Sequence, residues 1–172
     1  QRKMWIRESS ISNRGRTYRI KMLRQVNHKA GRLMNTGAMP QGRYGKEGMG
    51  LSPGLLTEIR AQQASAVSTD TKGQCPTTLI WIGLGMENDI ILKAAVDQIR
   101  MWLYLAQKAD PVRVAKAWFK MKACFTQARN SWATVKGPMG ATIATLDMIG
   151  WVPVTPTKWI DREGNTWKAQ PN

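Results

Sequence analysis

Apolar residues recur at helical spacing through most of the chain, and glycine or proline punctuates them into five blocks. In the first, over residues 14–36, Tyr18, Met22, Val26, Ala30 and Leu33 share one stripe, with Arg16, Arg19, Arg24 and Lys29 off it. That spacing predicts a basic amphipathic helix stopped by Gly37 and Pro40. Residues 39–51 carry Gly42, Gly45, Gly48 and Gly50, too many for a regular element, and read as a loop able to approach another surface closely. Ser52 and Pro53 then suit an N-cap and first helical position, followed by Leu55, Leu56, Ile59 and residues 63–67 in a short helix.

After a polar, exposed stretch at 65–74, the run Leu79, Ile80, Trp81, Ile82 and Leu84 fits helix or strand equally. From a cap at Asn88 or Asp89, Ile91, Ala95, Ile99, Trp102 and Ala106 line one helical face while Leu92, Val96 and Leu103 line its neighbour. This helix is expected to be broadly buried at the centre of the core. Asp110 and Pro111 open the most regular helix, in which Val114, Trp118, Met121, Phe125, Ala128 and Trp132 form a packing seam. Its other surfaces carry Arg113, Lys116 and Lys120, and Lys122, Arg129 and Lys136, a thinner basic rim. Gly137 and Pro138 end it and begin a short helix over 138–149, closed by Gly150. In the last block Trp151, Trp159 and Trp167 recur every eight residues. Turn residues at 161–165 separate Lys158, Trp159 and Ile160 from Thr166, Trp167 and Lys168, a small β-hairpin docked by its indoles. The expected fold is therefore mainly α: a helical domain of about five helices over residues 1–150, with a Trp-rich hairpin over 151–172 packed on it.

Charge changes the picture from fold to partner. The first 60 residues hold 13 of the Lys and Arg residues against three acids, Glu8, Glu47 and Glu58, and so carry ten of the chain's +15 net charges. Phosphate neutralisation and counterion release could supply most of the binding free energy to RNA or DNA. Arg14, Arg16, Arg19, Lys21, Arg24, Lys29, Arg32, Arg43 and Lys46 are the candidate nucleic-acid-binding residues. The longest apolar run, residues 78–86, is too short to cross a bilayer and contains two glycines, and no basic face adjoins an apolar face long enough to lie on one. An intracellular protein of nucleus or cytoplasm, with no membrane partner, is expected. Its opening on Gln1 rather than Met fits a processed product or a fragment of a longer reading frame.

Candidate chemistry is sparse. Two cysteines, Cys75 and Cys124, and one histidine, His28, support neither a disulfide framework nor a zinc site. Metal-dependent nucleotidyl transfer or strand cleavage needs gathered carboxylates. The close acidic pairs, Glu87 with Asp89 and Asp161 with Glu163, read as caps and turn residues, and Cys124 as a core thiol. No phosphate-cradling GxxxxGK[ST], GxSxG or HExxH motif occurs. No enzyme activity and no cofactor are expected.

Two segments add a resemblance. Met39, Pro40, Gln41, Gly42, Arg43, Tyr44, Gly45, Lys46, Glu47, Gly48, Met49 and Gly50, with Leu55, Leu56 and Arg60 beyond, resemble the stretch that follows the polymerase palm in reverse transcriptases of non-long-terminal-repeat retroelements. Trp132, Val135, Gly137, Pro138, residues 141–146, Gly150, Trp151, Pro153, Trp159, Asp161, Gly164 and Trp167 are similar to a pattern downstream of the polymerase in retroelement proteins of protists such as dinoflagellates. The resemblance implies a thumb-like or connecting helical region that grips a template–primer duplex through its backbone. The chain lacks the Tyr/Phe-x-Asp-Asp palm signature and a ribonuclease H set of carboxylates, so neither activity carries over to any residue. Independently of the resemblance, a self-standing basic RNA- or DNA-binding or ribosome-associated module, or a structural protein dimerising through the 114–132 seam, would share these features.

Overall fold

The computed structural model describes residues 2–40, 45–68, 70–128 and 131–169, with side chains described from residue 14 onward except that of Ser131. The chain is mainly α with a small C-terminal antiparallel sheet. It divides into two compact units: one comprises Gln1–Tyr44 and Pro53–Lys93, the other Gly45–Ser52 and Ala94–Asn172. The Trp-rich segment thus shares the second unit with the helices from residue 94 on.

In the first unit, α1 spans Arg2–Val26, beginning well before the residue 14 expected from the pattern. It also ends earlier than predicted. Asn27 is extended, and its Oδ1 accepts a hydrogen bond from the Lys29 amide at 3.0 Å, capping a 3-10 segment at His28–Arg32. A π-helical turn follows at Met34–Ala38, so Gly37 lies within a helical turn and does not stop one. The buried face differs from the predicted stripe as well. Thr17 and Ile20 are buried, as are Gly31 and Met34, whereas Tyr18 is 64% and Val26 92% exposed, and Met22 and Leu33 are exposed too. The reason is tertiary: α1 packs on α2 (Pro53–Val67), and smaller groups meet it. A Cβ at Gly31 would stand only 3.2 Å from the Ala66 carbonyl oxygen.

The ambiguous apolar run forms α3, Pro76–Leu84, with Pro76 in its first turn. It packs on α2, and a Cβ at Gly83 would overlap the Val67 methyl groups, so this approach admits only glycine. Helix α4, Ile90–Lys108, begins in the first unit and continues in the second. Its cap is Asp89, whose Oδ1 accepts from the Ile91 amide at 3.1 Å. Asp89 Oδ2 accepts from Arg60 Nη2 at 2.5 Å and Trp81 Nε1 at 3.1 Å, and Arg60 Nη2 also donates to Thr77 Oγ1 at 2.9 Å. Beside it, the fully buried Gln63 donates to the Asn88 carbonyl at 2.8 Å and accepts from the Ile90 amide at 3.1 Å.

In the second unit the expected broad burial of α4 narrows to one face. Ala95, Gln98 and Trp102 are buried while Leu92, at the α4 start, and Val96 are exposed. Gln98 holds a core position because its amide reaches Thr142 Oγ1 at 3.3 Å and the Pro138 carbonyl at 3.4 Å. Helix α5, Pro111–Gln127, starts at Asp110, whose Oδ1 accepts from the Val112 amide at 2.9 Å. It stops at the extended Ala128, short of the predicted seam's end, and Trp132 arrives on a separate turn, α6 (Ser131–Thr134). The Trp132 ring packs where a Cβ at Gly50 would lie 2.9 Å away, and Gly50 has the left-handed φ of 71°. Helix α7, Pro138–Met148, is buried from Gly140 through Leu146, which its small residues permit.

Around these helices Trp102, Trp118, Ile143, Leu146 and Trp159 form the core, and the Trp102 and Trp118 rings stack with centroids 5.3 Å apart. Val114, Met121 and Phe125 of the predicted seam pack against it. The predicted hairpin is the outer part of a three-stranded sheet, β1 (Val152–Thr155), β2 (Lys158–Ile160) and β3 (Thr166–Lys168), in that order and antiparallel. Of the three indoles only Trp159 is buried. Trp102 Nε1 donates to the Pro156 carbonyl at 2.8 Å, and the half-exposed Trp167 stacks on Trp151 at 5.9 Å. Asp161 organises the β2–β3 turn, accepting from the Glu163 and Asn165 amides and from Trp167 Nε1 at 2.8 Å. The Trp167 indole, chiefly, holds its carboxyl below the usual carboxylate range. Because the folded value lies below the unfolded one, the turn gains stability above the ordinary carboxylate pKa and loses it as pH falls through the folded value.

Two substitutions check these cores. Replacing Asp89 by Ala leaves Arg60 without its carboxylate and should cost about 3–5 kcal/mol. Trp118→Ala, which empties a site with 0% exposure, should cost about 3–5 kcal/mol. Chemical denaturation measures both, and a loss below about 1 kcal/mol at either position would contradict the packing described.

Candidate nucleic-acid interface

The basic residues of 14–32 lie in the first unit, on the C-terminal half of α1 and the 3-10 segment. Arg14, Arg16, Arg19, Lys29 and Arg32 are exposed, and Lys21 and Arg24 are half-buried. No Asp or Glu occurs between Glu8 and Glu47, so this stretch has no acid of its own. One carboxylate reaches it from α2: Arg14 Nη2 meets Glu58 Oε1 at 2.8 Å, with side chains 65% and 36% exposed. An ion pair this wet is worth about 0–1 kcal/mol and exchanges readily for a phosphate. Arg16 Nη1 donates to the Gly37 carbonyl at 3.3 Å, and Arg24 Nη1 to the Ala66 carbonyl at 3.5 Å, which covers the negative end of α2.

Two members of the candidate set are placed differently. Lys46 belongs to the second unit and is buried, and its own carbonyl accepts from the Met49 and Gly50 amides in the turn. Arg43 lies outside the described residues. The residues from Arg14 to Arg32 thus share the first unit, and Lys46 is buried in the second. The thinner rim on α5, Arg113, Lys116 and Lys120, is exposed in the second unit. Lys122 is half-buried there, Lys136 is exposed, and Arg129 lies outside the described residues.

Much of the apolar stripe predicted on this segment is exposed beside the cations. Tyr18, one helical turn beyond Arg14, is an exposed aromatic among cations, with Met22, Leu23 and Val26 exposed beyond it. A shallow apolar hollow of about 210 Å³ opens among Arg16, Arg19, Ile20, Leu33, Gly37 and Ala38, with the two arginines lining it through their aliphatic stems. Such a surface offers charge to a phosphate and apolar area to a sugar or base. The one available signal was that the stripe's residues alternate with arginines on both sides.

Other candidate chemistry resolves into structure. Among the described residues no three His, Cys, Asp or Glu side chains gather as a metal site, and no helix is long and apolar enough to cross a membrane. Cys124, expected in the core, is exposed because it falls off the seam that Trp118, Met121 and Phe125 turn inward. Cys75 is exposed at the start of α3. The Thr78 amide, first, then the Thr77 and Thr78 hydroxyls and the Thr77 amide draw its thiol pKa down to about 7. No protein-family model, curated protein or solved structure matches the chain.

With Cys124→Ser to isolate it, the iodoacetamide alkylation rate of Cys75 should reach half its maximum near pH 7. A midpoint near about 8.5, the ordinary thiol value, would contradict the donor arrangement around its sulfur.

Proposed function

We propose that this chain is a non-catalytic nucleic-acid-binding region that grips a strand backbone through the exposed cations of α1 and the 3-10 segment. The observation that carries this reading is the acid-poor exposed surface from Arg14 to Arg32, five of whose cations are exposed. Arg and Lys spread along a helix neutralise phosphates at successive positions, and Tyr18 and the apolar hollow add sequence-tolerant contacts to sugars and bases. The surface has no set of polar side chains converging to read base edges, so its binding tolerates sequence and depends steeply on salt. The resemblance of residues 39–60 and 132–167 to post-polymerase segments supports a place as the thumb-like or connecting region of a retroelement reverse transcriptase. In that setting the partner is a template–primer duplex of RNA, DNA or both.

The test is a salt series of fluorescence-anisotropy titrations with a mixed-sequence duplex. The combined Arg16→Gln, Arg19→Gln and Lys21→Gln protein should lose far more affinity than the Arg113→Gln, Lys116→Gln and Lys120→Gln protein. Its log Kd against log salt slope should also shrink by about one for each phosphate contact removed. Equal losses from the two sets, a flat salt dependence, or a strong preference for one sequence would overturn the reading.

A further inference from the structure

A cavity of about 250 Å³ opens in the first unit where the 3-10 segment meets the C-terminal ends of α2 and α3. Arg24, Lys29, Arg32 and His28 line it, and no acid does. Among the described residues, none of the three cations pairs with a carboxylate. Cations gathered around a recess repel one another unless an anion enters, so the arrangement selects for negative charge. Glycine lets the segments around the recess pack closely. A side chain at Gly31 would press on the Ala66 carbonyl, one at Gly83 would overlap Val67, and both glycines form its wall. Arg24 spends one donor on that carbonyl, which screens the negative end of α2, and its remaining guanidinium N–H groups are available to a ligand.

We propose that this cavity is a phosphate-binding site and that its ligand is the terminal phosphate of a nucleic-acid strand. Two arginines and a lysine suit a tetrahedral oxyanion, because guanidinium forks bind two of its oxygens at once and the ammonium adds a point charge. A terminal monoester carries about −1.5 to −2 charges near pH 7, more than an internal phosphodiester, and so matches the larger cluster of cations. A recess between helix ends receives a chain terminus more readily than a backbone that must both enter and leave. Arg24 is the last cation of α1, so the basic residues of that helix run along the chain to one that lines the cavity. The source of the phosphate rests on the nucleic-acid reading above, whereas the anion preference of the cavity does not.

The experiment compares the intact chain with a Lys29→Gln, Arg32→Gln variant, both exposed positions, after thermal unfolding has shown that the two share a melting temperature. An Arg32→Lys variant, which keeps the charge and loses the fork, provides a milder second test. Labelled single strands of one sequence are titrated with a 5′-phosphate, a 3′-phosphate or hydroxyls at both ends, and inorganic phosphate is added as a free-anion probe. A phosphorylated end should bind roughly tenfold tighter than the hydroxyl form, the size of one charge-assisted contact. Because Lys29 and Arg32 also belong to the basic surface, weaker binding of every strand by the variant is expected. The readout is the ratio of phosphorylated to hydroxyl-ended affinity, which should fall from about ten to about one. Equal binding of all three strands by the intact chain would overturn the cavity proposal and leave the nucleic-acid reading standing. If no strand binds, yet inorganic phosphate raises the melting temperature of the intact chain and not of the variant, the strand-end assignment is wrong along with the nucleic-acid reading, and the site serves a small phosphate compound. If neither strands nor phosphate bind, both readings fail.

Discussion

The first unit depends on how α2 secures the start of α4. The turn before α4 leaves a carbonyl at Asn88 and amides at Ile90 and Ile91 without helical partners, in a region where Asp89 and Ile90 are almost wholly buried. Buried polar groups left unpaired cost more than most packing defects. Gln63 answers two of these groups and Asp89 the third, while Arg60 neutralises the carboxylate that does so. Because Arg60 and Gln63 are one turn apart on α2, satisfying them sets the rotation of that helix. The direction of α1 then follows, since α1 packs on α2. The polar clamp at the start of α4 thus orients the outward cations of α1 from a distance.

The second unit rests on shape more than on charge. Its α7 carries mostly Gly, Ala and Thr where it is buried, which lets large aromatic rings approach it, and Trp102, Trp118 and Trp159 fill the space. Indoles committed to a core are not free to stack on bases. In the other unit, Tyr18 and the hollow beside Arg16 and Arg19 are open. Trp167, half-exposed, is held by Trp151 and by Asp161.

The surface of α1 joins these themes. A helix with apolar residues on two sides can bury only one of them against a single neighbour. Here the smaller side, Thr17 and Ile20, allows the 3-10 segment and Gly31 to come within van der Waals distance of α2. The larger side is left exposed among arginines.

Much was legible in the sequence because it depends on local rules. Residue order alone determined the predominance of helix, the Asp110 and Pro111 start of α5, the Pro138 start of α7, the β2 and β3 strands around the Asp161 turn, and the concentration of positive charge in the first third. Caps, turn residues and net charge act within a few positions and need no partner. Only the tertiary structure decided which stripe of α1 is buried, that Asn27 breaks the helix, that Leu79 and its neighbours are helical, and that Cys124 faces solvent. It also decided that Lys46 is buried, and that Arg24, Lys29 and Arg32 line one cavity. Each of those outcomes turns on a contact between segments far apart in the chain, such as Gly31 on Ala66, Gly83 on Val67 or Arg60 on Asp89. Periodicity records that a side chain is apolar, but which neighbour it meets is set by whichever packing satisfies the buried polar groups.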